Sequence, residues 1–150
     1  MPVDVLTETV INQPLAVVAA FAGTPDNAPR WYVNIKTVEW KSTPPLTVGS
    51  RVAFVAHFLG RRIAYTYEFT ELVPNARLVM RTSEDPFPME TTYTWEAVSP
   101  ESTRMTLRNR GEPSGFGKIA APFMEAAMRR ANRADLARLK SLLEASSATL

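Results

Sequence analysis

The sequence predicts an α+β fold, in which a curved antiparallel sheet of about seven strands wraps around one long C-terminal helix and two short helices follow the first strand. Three observations lead to this prediction. Apolar and polar residues alternate through most of residues 51–110, turn residues divide that stretch into strands, and the spacing becomes helical after Gly115. A chain of 150 residues has the usual length of one domain, so we expect a single domain over residues 1–150.

The N-terminal part predicts two strands with two short helices between them. Residues 4–11 alternate in polarity as a strand does, and the segment that follows them opens a short helix over residues 15–22. A second short helix or turn is expected within residues 24–31. Residues 35–42 are expected to form the next strand.

Gly60 and Arg61 predict a hairpin between the strands on either side, because glycine at the first central position suits a type II′ turn. This turn places Phe54 opposite Tyr67 on the same face of the sheet.

The turn at residues 99–101 predicts a second hairpin. Matching the apolar faces of its two strands places Trp95 opposite Met105 and Tyr93 opposite Leu107.

The predicted registers give the sheet one charged face and one uncharged face. Arg81 is placed between Glu68 and Glu90 on the outer face, whereas the inner face has no charged residue from Val52 to Asn109. A slip of one residue in any strand would move charges onto the apolar face, so other pairings are strongly disfavoured.

The long helix is predicted from apolar residues that recur at helical spacing after the last strand. We expect this apolar side to face the inner sheet. Its N-terminal half supplies Phe116, Ala120, Phe123, Met124, Ala127 and Met128.

Composition excludes several classes of function. The 17 Lys and Arg residues against 15 Asp and Glu give a net charge of +2, which does not indicate nucleic-acid binding. There is no cysteine and only one histidine, so a typical zinc site is not expected. The glycines lack the spacing of a phosphate-binding loop. We expect neither a metal nor another cofactor.

The N-terminal residues give no sign of export. Asp4 and Glu8 stand where a secretory signal needs a basic flank and an apolar run. The longest apolar stretch, residues 15–22, is far shorter than the roughly 20 residues that cross a bilayer. We therefore expect a cytoplasmic protein with no stable membrane insertion, and the sequence leaves its oligomeric state open.

Several segments resemble the SRPBCC or START-like superfamily, in its polyketide cyclase/dehydrase and lipid-transport branch. They are TVINQPLAVVAAFA, PDNAPRW, VGSRV, FLGRR, YEFTELVPNARL, PFPMETTYTWE and ARLKSLLE, which together span almost the whole chain. The resemblance implies a helix-grip fold with a cavity between the sheet and the long helix. It implies no catalytic residue, because no fixed catalytic motif runs through the family.

The inner face and the resemblance together predict a ligand-binding site. Its apolar walls and few polar groups are typical of a small-molecule pocket, and its methionines would adapt to varied ligand shapes. Trp31 joins the set because the resemblance places its segment near the cavity mouth, although simple packing is an alternative role. The predicted ligand-binding residues are Trp31, Phe54, Phe58, Tyr65, Tyr67, Met80, Met89, Thr91, Tyr93, Trp95, Met105, Leu107, Phe116, Ala120, Phe123, Met124, Ala127 and Met128.

Three hypotheses for function follow. The first is binding or transport of a small hydrophobic ligand, such as a lipid, an isoprenoid or a polyketide-like ring. The second is an enzyme of the cyclase or dehydratase type that uses no metal, with Tyr65, Tyr67, Tyr93 or Asn109 orienting a carbonyl-bearing substrate. The third is a protein with a filled core that acts through its surface.

Overall fold

The order of strands and helices follows the sequence prediction closely. The computed structural model describes residues 3–58, 60–82, 88–111 and 121–148. The elements within these residues are β1 (Val3–Ile11), α1 (Leu15–Ala22), a 3-10 turn (Pro25–Asn27), α2 (Ala28–Trp31), β2 (Ile35–Trp40), β3 (Arg51–Phe58), β4 (Arg61–Val73), β5 (Arg77–Thr82), β6 (Met89–Ser99), β7 (Ser102–Gly111) and α3 (Ala121–Ala148).

The strands form one antiparallel sheet in the order β1-β7-β6-β5-β4-β3-β2, with β1 and β2 at its edges. Irregular pairing interrupts β2, β4 and β6, and such bulges increase the local twist of a strand. Helix α3 packs against β1 and α2. The predicted α+β architecture is thus confirmed. Within the part of the chain that the structure describes, no helix is long and apolar enough to cross a membrane.

The predicted register of the second hairpin is confirmed, since Trp95 pairs with Met105 and Tyr93 pairs with Leu107. Arg81 pairs with Glu68 on one side and with Glu90 on the other, as predicted.

Ion pairs cover the outer face of this part of the sheet. Arg108 donates two hydrogen bonds to Asp4, at 2.8 and 2.6 Å, and Arg110 donates one to Glu90 at 2.9 Å. These pairs lie in water and each contributes little stability. Their main effect is on register, because none of these charges can turn to the buried face.

The predicted register of the first hairpin is wrong by two residues. Phe54 pairs with Tyr65 rather than Tyr67, and Phe58 pairs with Arg61. Gly60 therefore takes the second central position of the turn, where its φ of 74° suits a residue without a side chain. A shift of two residues keeps the described side chains of both strands on their predicted faces, so polarity alone could not reveal the error.

The core lies between the inner face of the sheet and α3. From α3, buried apolar side chains recur at helical spacing at Met124, Met128, Leu136, Leu139 and Leu143. The inner sheet residues Phe69, Met105 and Leu107 are buried beneath them. Val18 of α1 joins the same core.

We expect Leu139→Ala to lower the free energy of unfolding by about 2 to 5 kcal/mol, because it removes a fully buried side chain from the core. Leu6→Ala is the matched control, since Leu6 is 59% exposed on the outer side of β1, and it should cost less than about 1 kcal/mol. Urea denaturation of the two variants gives both values. Equal losses would contradict the assignment of α3 to the core.

Candidate ligand-binding site

A cavity of about 130 Å³ lies between the inner face of the sheet and α3. Alternation along the strands turns every second side chain toward it, and α3 closes the opposite side. The described residues that line it are Phe54, Ala56, Ile63, Tyr65, Tyr67, Met80, Met89, Thr91, Tyr93 and Asn109 from the sheet, Met128, Ala131, Asn132 and Asp135 from α3, and Tyr32, Asn34 and Ile35 from the segment after α2.

Nine of the 19 sequence-predicted site residues meet in this wall. From the ligand-binding set they are Phe54, Tyr65, Tyr67, Met80, Met89, Thr91, Tyr93 and Met128, and Asn109 joins them from the catalytic candidates.

Others are buried but do not line the cavity, namely Trp31, Trp95, Met105, Leu107 and Met124. Trp31 is fully buried, and its ring packs against Tyr32 and Tyr93 with centroid separations of 4.2 and 5.7 Å. This placement supports the packing alternative for Trp31. The side chain of Phe58, together with Phe116 and Ala120, lies outside the described residues.

The expected inward orientation of Phe123 is wrong, because this side chain is 75% exposed. Successive residues of a helix point about 100° apart, and the neighbouring Met124 takes the buried direction. Ala127 is half-buried and borders a surface groove beside Val33 and Arg130 instead of the cavity.

Two tyrosines meet at one side of the cavity. The hydroxyl oxygens of Tyr32 and Tyr93 lie 2.5 Å apart and share a hydrogen bond. Burial raises the pKa of Tyr32 and of Tyr93 well above the usual range, and burial raises the pKa of Tyr67 to about 12. These phenols therefore stay neutral near pH 7 and act as hydrogen-bonding groups.

Polar groups on the sheet side satisfy one another. The Thr91 hydroxyl donates to Asn109 Oδ1 at 2.6 Å, and the Tyr67 hydroxyl donates to the sulfur of Met89 at 3.4 Å. Asn109 is thus held by a neighbouring strand and has a structural partner in the absence of any ligand.

Asp135 brings a carboxyl group into the cavity wall. Its side chain is only 2% exposed, and Oδ1 accepts a hydrogen bond of 2.8 Å from the backbone N–H of Val33. Burial raises the pKa of Asp135 to about 7, although the Val33 hydrogen bond and the charge of Arg138 act in the opposite direction. Near neutral pH this carboxyl group can both hold and release a proton.

Asn132 lies one helical turn before Asp135 and also lines the cavity. The residue is 5% exposed, and its Nδ2 donor has no hydrogen-bond partner. Leaving a buried donor unpaired costs about 1 to 3 kcal/mol. A ligand atom that accepts a hydrogen bond would remove this penalty.

Sequence patterns did not assign Ala131, Asn132 and Asp135 of α3, or the residues after α2, to the cavity wall. Asn132 and Asp135 follow the helical spacing of the buried stripe that includes Met128, although polar residues on a helix are usually solvated. This spacing was a usable signal. No comparable pattern marks Tyr32 and Asn34, because they lie in an irregular connection.

Within the part of the chain that the structure describes, no cluster of three or more His, Asp or Glu residues could hold a metal ion.

Solved structures place the fold in the START-like helix-grip class. A START superfamily protein from Mycobacterium smegmatis has a TM-score of 0.83 at 12% identity, with 94% of this chain and 97% of that chain covered. The Zhui aromatase/cyclase from Streptomyces sp. R1128 has a TM-score of 0.80 at 16% identity, covering 96% and 94%. A protein from Thermus thermophilus has a TM-score of 0.81 at 20% identity, covering 96% and 99%. These likenesses show the fold.

The family model described as polyketide cyclase / dehydrase and lipid transport matches residues 2–144. The chain therefore belongs to this family, as the sequence resemblance predicted. No match was found among curated proteins.

We expect the stability of the protein to depend on Asp135 in a defined pH window. The folded pKa is about 7 and the ordinary value is 3.8, so the folded state binds the proton more tightly than the unfolded state. This contribution is fully present below pH 4 and is lost as the pH rises toward 7, by at most about 1.4 kcal/mol per pH unit.

Asp135→Asn keeps the acceptor for Val33 but does not ionise. Its unfolding free energy relative to the unmodified protein should therefore rise by about 2 kcal/mol between pH 5 and pH 8, as measured by urea denaturation. A difference that stays constant over this range would contradict the raised pKa.

Proposed function

We propose that the chain binds a small, mainly apolar ligand that carries a hydrogen-bonding group, in the cavity between the sheet and α3. The observation that carries this proposal is the cavity itself, whose largely apolar wall contains the unpaired amide of Asn132. Small-molecule sites usually combine apolar walls with a few polar groups that fix orientation. A core filled throughout, the third hypothesis from the sequence, would not leave this space.

The size of the cavity favours a compact ligand. An engineered cavity of roughly 150 Å³ in another protein binds benzene, so about 130 Å³ suits a ligand built on a single ring. Among the predicted ligand classes, this favours a polyketide-like ring over an extended fatty acyl chain. The family description, which includes both cyclases and lipid transport, is compatible with binding of this kind.

Filling the cavity provides the test. We expect Ala131→Met to weaken binding of benzyl alcohol by about tenfold or more, because the larger side chain occupies the ligand space. Ala137→Met is the matched control on an exposed position of the same helix and should leave binding unchanged. Titration followed by NMR measures both affinities, and equal binding by the two variants would place the ligand elsewhere.

The polar anchor is tested separately. Benzyl alcohol should bind about two- to tenfold more tightly than toluene, because its hydroxyl can accept a hydrogen bond from Asn132 Nδ2. This preference should disappear in Asn132→Leu, which keeps an apolar side chain of similar size. If neither compound binds the unmodified protein, the proposed function is wrong.

A cyclase- or dehydratase-type enzyme is the second candidate, and Asp135 is the observation that favours it. A carboxyl group with a pKa near 7 can transfer protons at neutral pH, and the Tyr32 and Tyr93 hydroxyls lie in the same wall to orient a carbonyl oxygen. Deuterium uptake at the methyl group of acetophenone tests this reading by NMR. Uptake above the buffer rate that is lost in Asp135→Asn would favour the enzyme, whereas binding without uptake favours the carrier.

A further inference from the structure

The charge of the cavity wall is set by one residue. Among the described residues that line the cavity, Asp135 is the only one with a side chain that is charged near pH 7, and none is Lys, Arg or His. A carboxylate offers about four acceptor positions, so the single bond from Val33 leaves capacity for a ligand. The cavity thus combines an anionic group with aromatic and apolar walls.

The groups that face Asp135 leave its charge largely uncompensated. Tyr32, Tyr67 and Tyr93 line the same cavity, and their phenols are neutral near pH 7. They therefore carry no charge that could compensate that of Asp135. Arg138 acts on Asp135 from the same helix, but it is exposed to solvent. A buried carboxylate without a cationic partner is unfavourable, and a ligand that supplies the cation would relieve this.

We propose that the cavity selects its ligand by charge and takes a compact ring that carries a cationic nitrogen group, which pairs with Asp135, while it rejects the corresponding anion. This inference rests on the proposed function, since it names the ligand class of the same cavity. Tyrosine and phenylalanine rings support the choice, because their faces attract cations and repel anions. Phe54, Tyr65 and Tyr67 form a continuous aromatic cluster in the wall, with ring centroids 5.7 to 5.8 Å apart.

Arg130 is a cationic side chain that could compete for an anion beside the cavity. It borders the surface groove that shares Asn34 and Ala131 with the cavity, but its side chain is exposed. An exposed arginine attracts an anion only weakly because water and salt screen its charge. A buried carboxylate acts through a less polar surrounding, so its preference for a cation dominates inside the cavity.

Three planar compounds of nearly the same shape separate charge from fit. Benzamidine carries a positive charge, benzamide is neutral and benzoate is negative. At pH 8 we expect benzamidine to bind about tenfold or more tightly than benzamide, because the amidinium can donate two parallel hydrogen bonds to the carboxylate. Benzoate should show no saturable binding. Isothermal titration calorimetry measures all three.

The pH dependence adds an independent readout. With a pKa of about 7, Asp135 is mostly ionised at pH 8 and mostly protonated at pH 6. The affinity for benzamidine, whose own charge is constant in this range, should therefore fall about tenfold from pH 8 to pH 6. The affinity for benzamide should stay constant, since Tyr32, Tyr67 and Tyr93 do not titrate there.

Asp135→Asn identifies the responsible group. It should equalise benzamidine and benzamide and abolish the pH dependence, while retaining the binding of benzamide as proof of an intact cavity. Glu125→Gln removes the same charge from the same helix outside the cavity and should leave the preference unchanged.

The outcomes distinguish this inference from the proposed function. Benzamide binding that equals or exceeds that of benzamidine, or saturable binding of benzoate, overturns the charge selection and leaves the cavity as a binding site. A loss of preference in Glu125→Gln as large as in Asp135→Asn overturns the role of Asp135. If none of the three compounds binds and benzyl alcohol also fails to bind, both proposals are wrong.

Discussion

The segregation of charge between the two faces of the sheet is the constraint on which the rest of the structure depends. Arg81, Arg108 and Arg110 meet acidic partners on the outer face, so each strand presents its alternate positions to the interior. Among the side chains that the structure describes, that interior face is uncharged, and it meets the apolar side of α3. The cavity exists because these two surfaces do not fill the space between them completely, and its sheet wall is a direct consequence of the alternation.

The same constraint explains which parts of the fold the sequence predicts. In the hairpin of β6 and β7, the outward pairs and the short turn agree on one register. These pairs are Glu90 with Arg110, Thr92 with Arg108, Thr94 with Thr106 and Glu96 with Arg104. In the hairpin of β3 and β4, a shift of two residues preserves both faces, so only the turn can determine the register. Different turn types place a positive φ at the first or at the second central position, and glycine suits both. The presence of Gly60 therefore did not determine the register.

The same alternation separates the site residues that the sequence predicts from those that it does not. Side chains of the sheet wall, such as Phe54, Tyr65 and Met80, were predicted because strand alternation assigns their face. Asn132 and Asp135 were not, since polar residues on a helix are usually solvated. Their spacing continues the buried stripe of α3, but the hydrogen bond from the Val33 N–H to Asp135 joins residues far apart in the sequence, and helical spacing does not predict it.

Three unfavourable features coincide in this part of the molecule. Cavity walls lose packing contacts, and a buried carboxyl group loses hydration. Buried hydrogen-bond donors also lack partners, namely the Asn132 amide and the indole N–H groups of Trp31 and Trp95. Both tryptophan rings pack against Tyr93. The adjacent Leu136 and Leu139 are buried apolar residues of α3, whereas the buried Asp135 accepts a single hydrogen bond, from the Val33 N–H. Stability alone would favour apolar side chains and a filled interior. The cavity, the unpaired amide of Asn132 and the carboxyl group of Asp135 meet in one space, and this supports the proposed ligand, which would fill the cavity, accept a hydrogen bond from the amide and pair with the carboxylate.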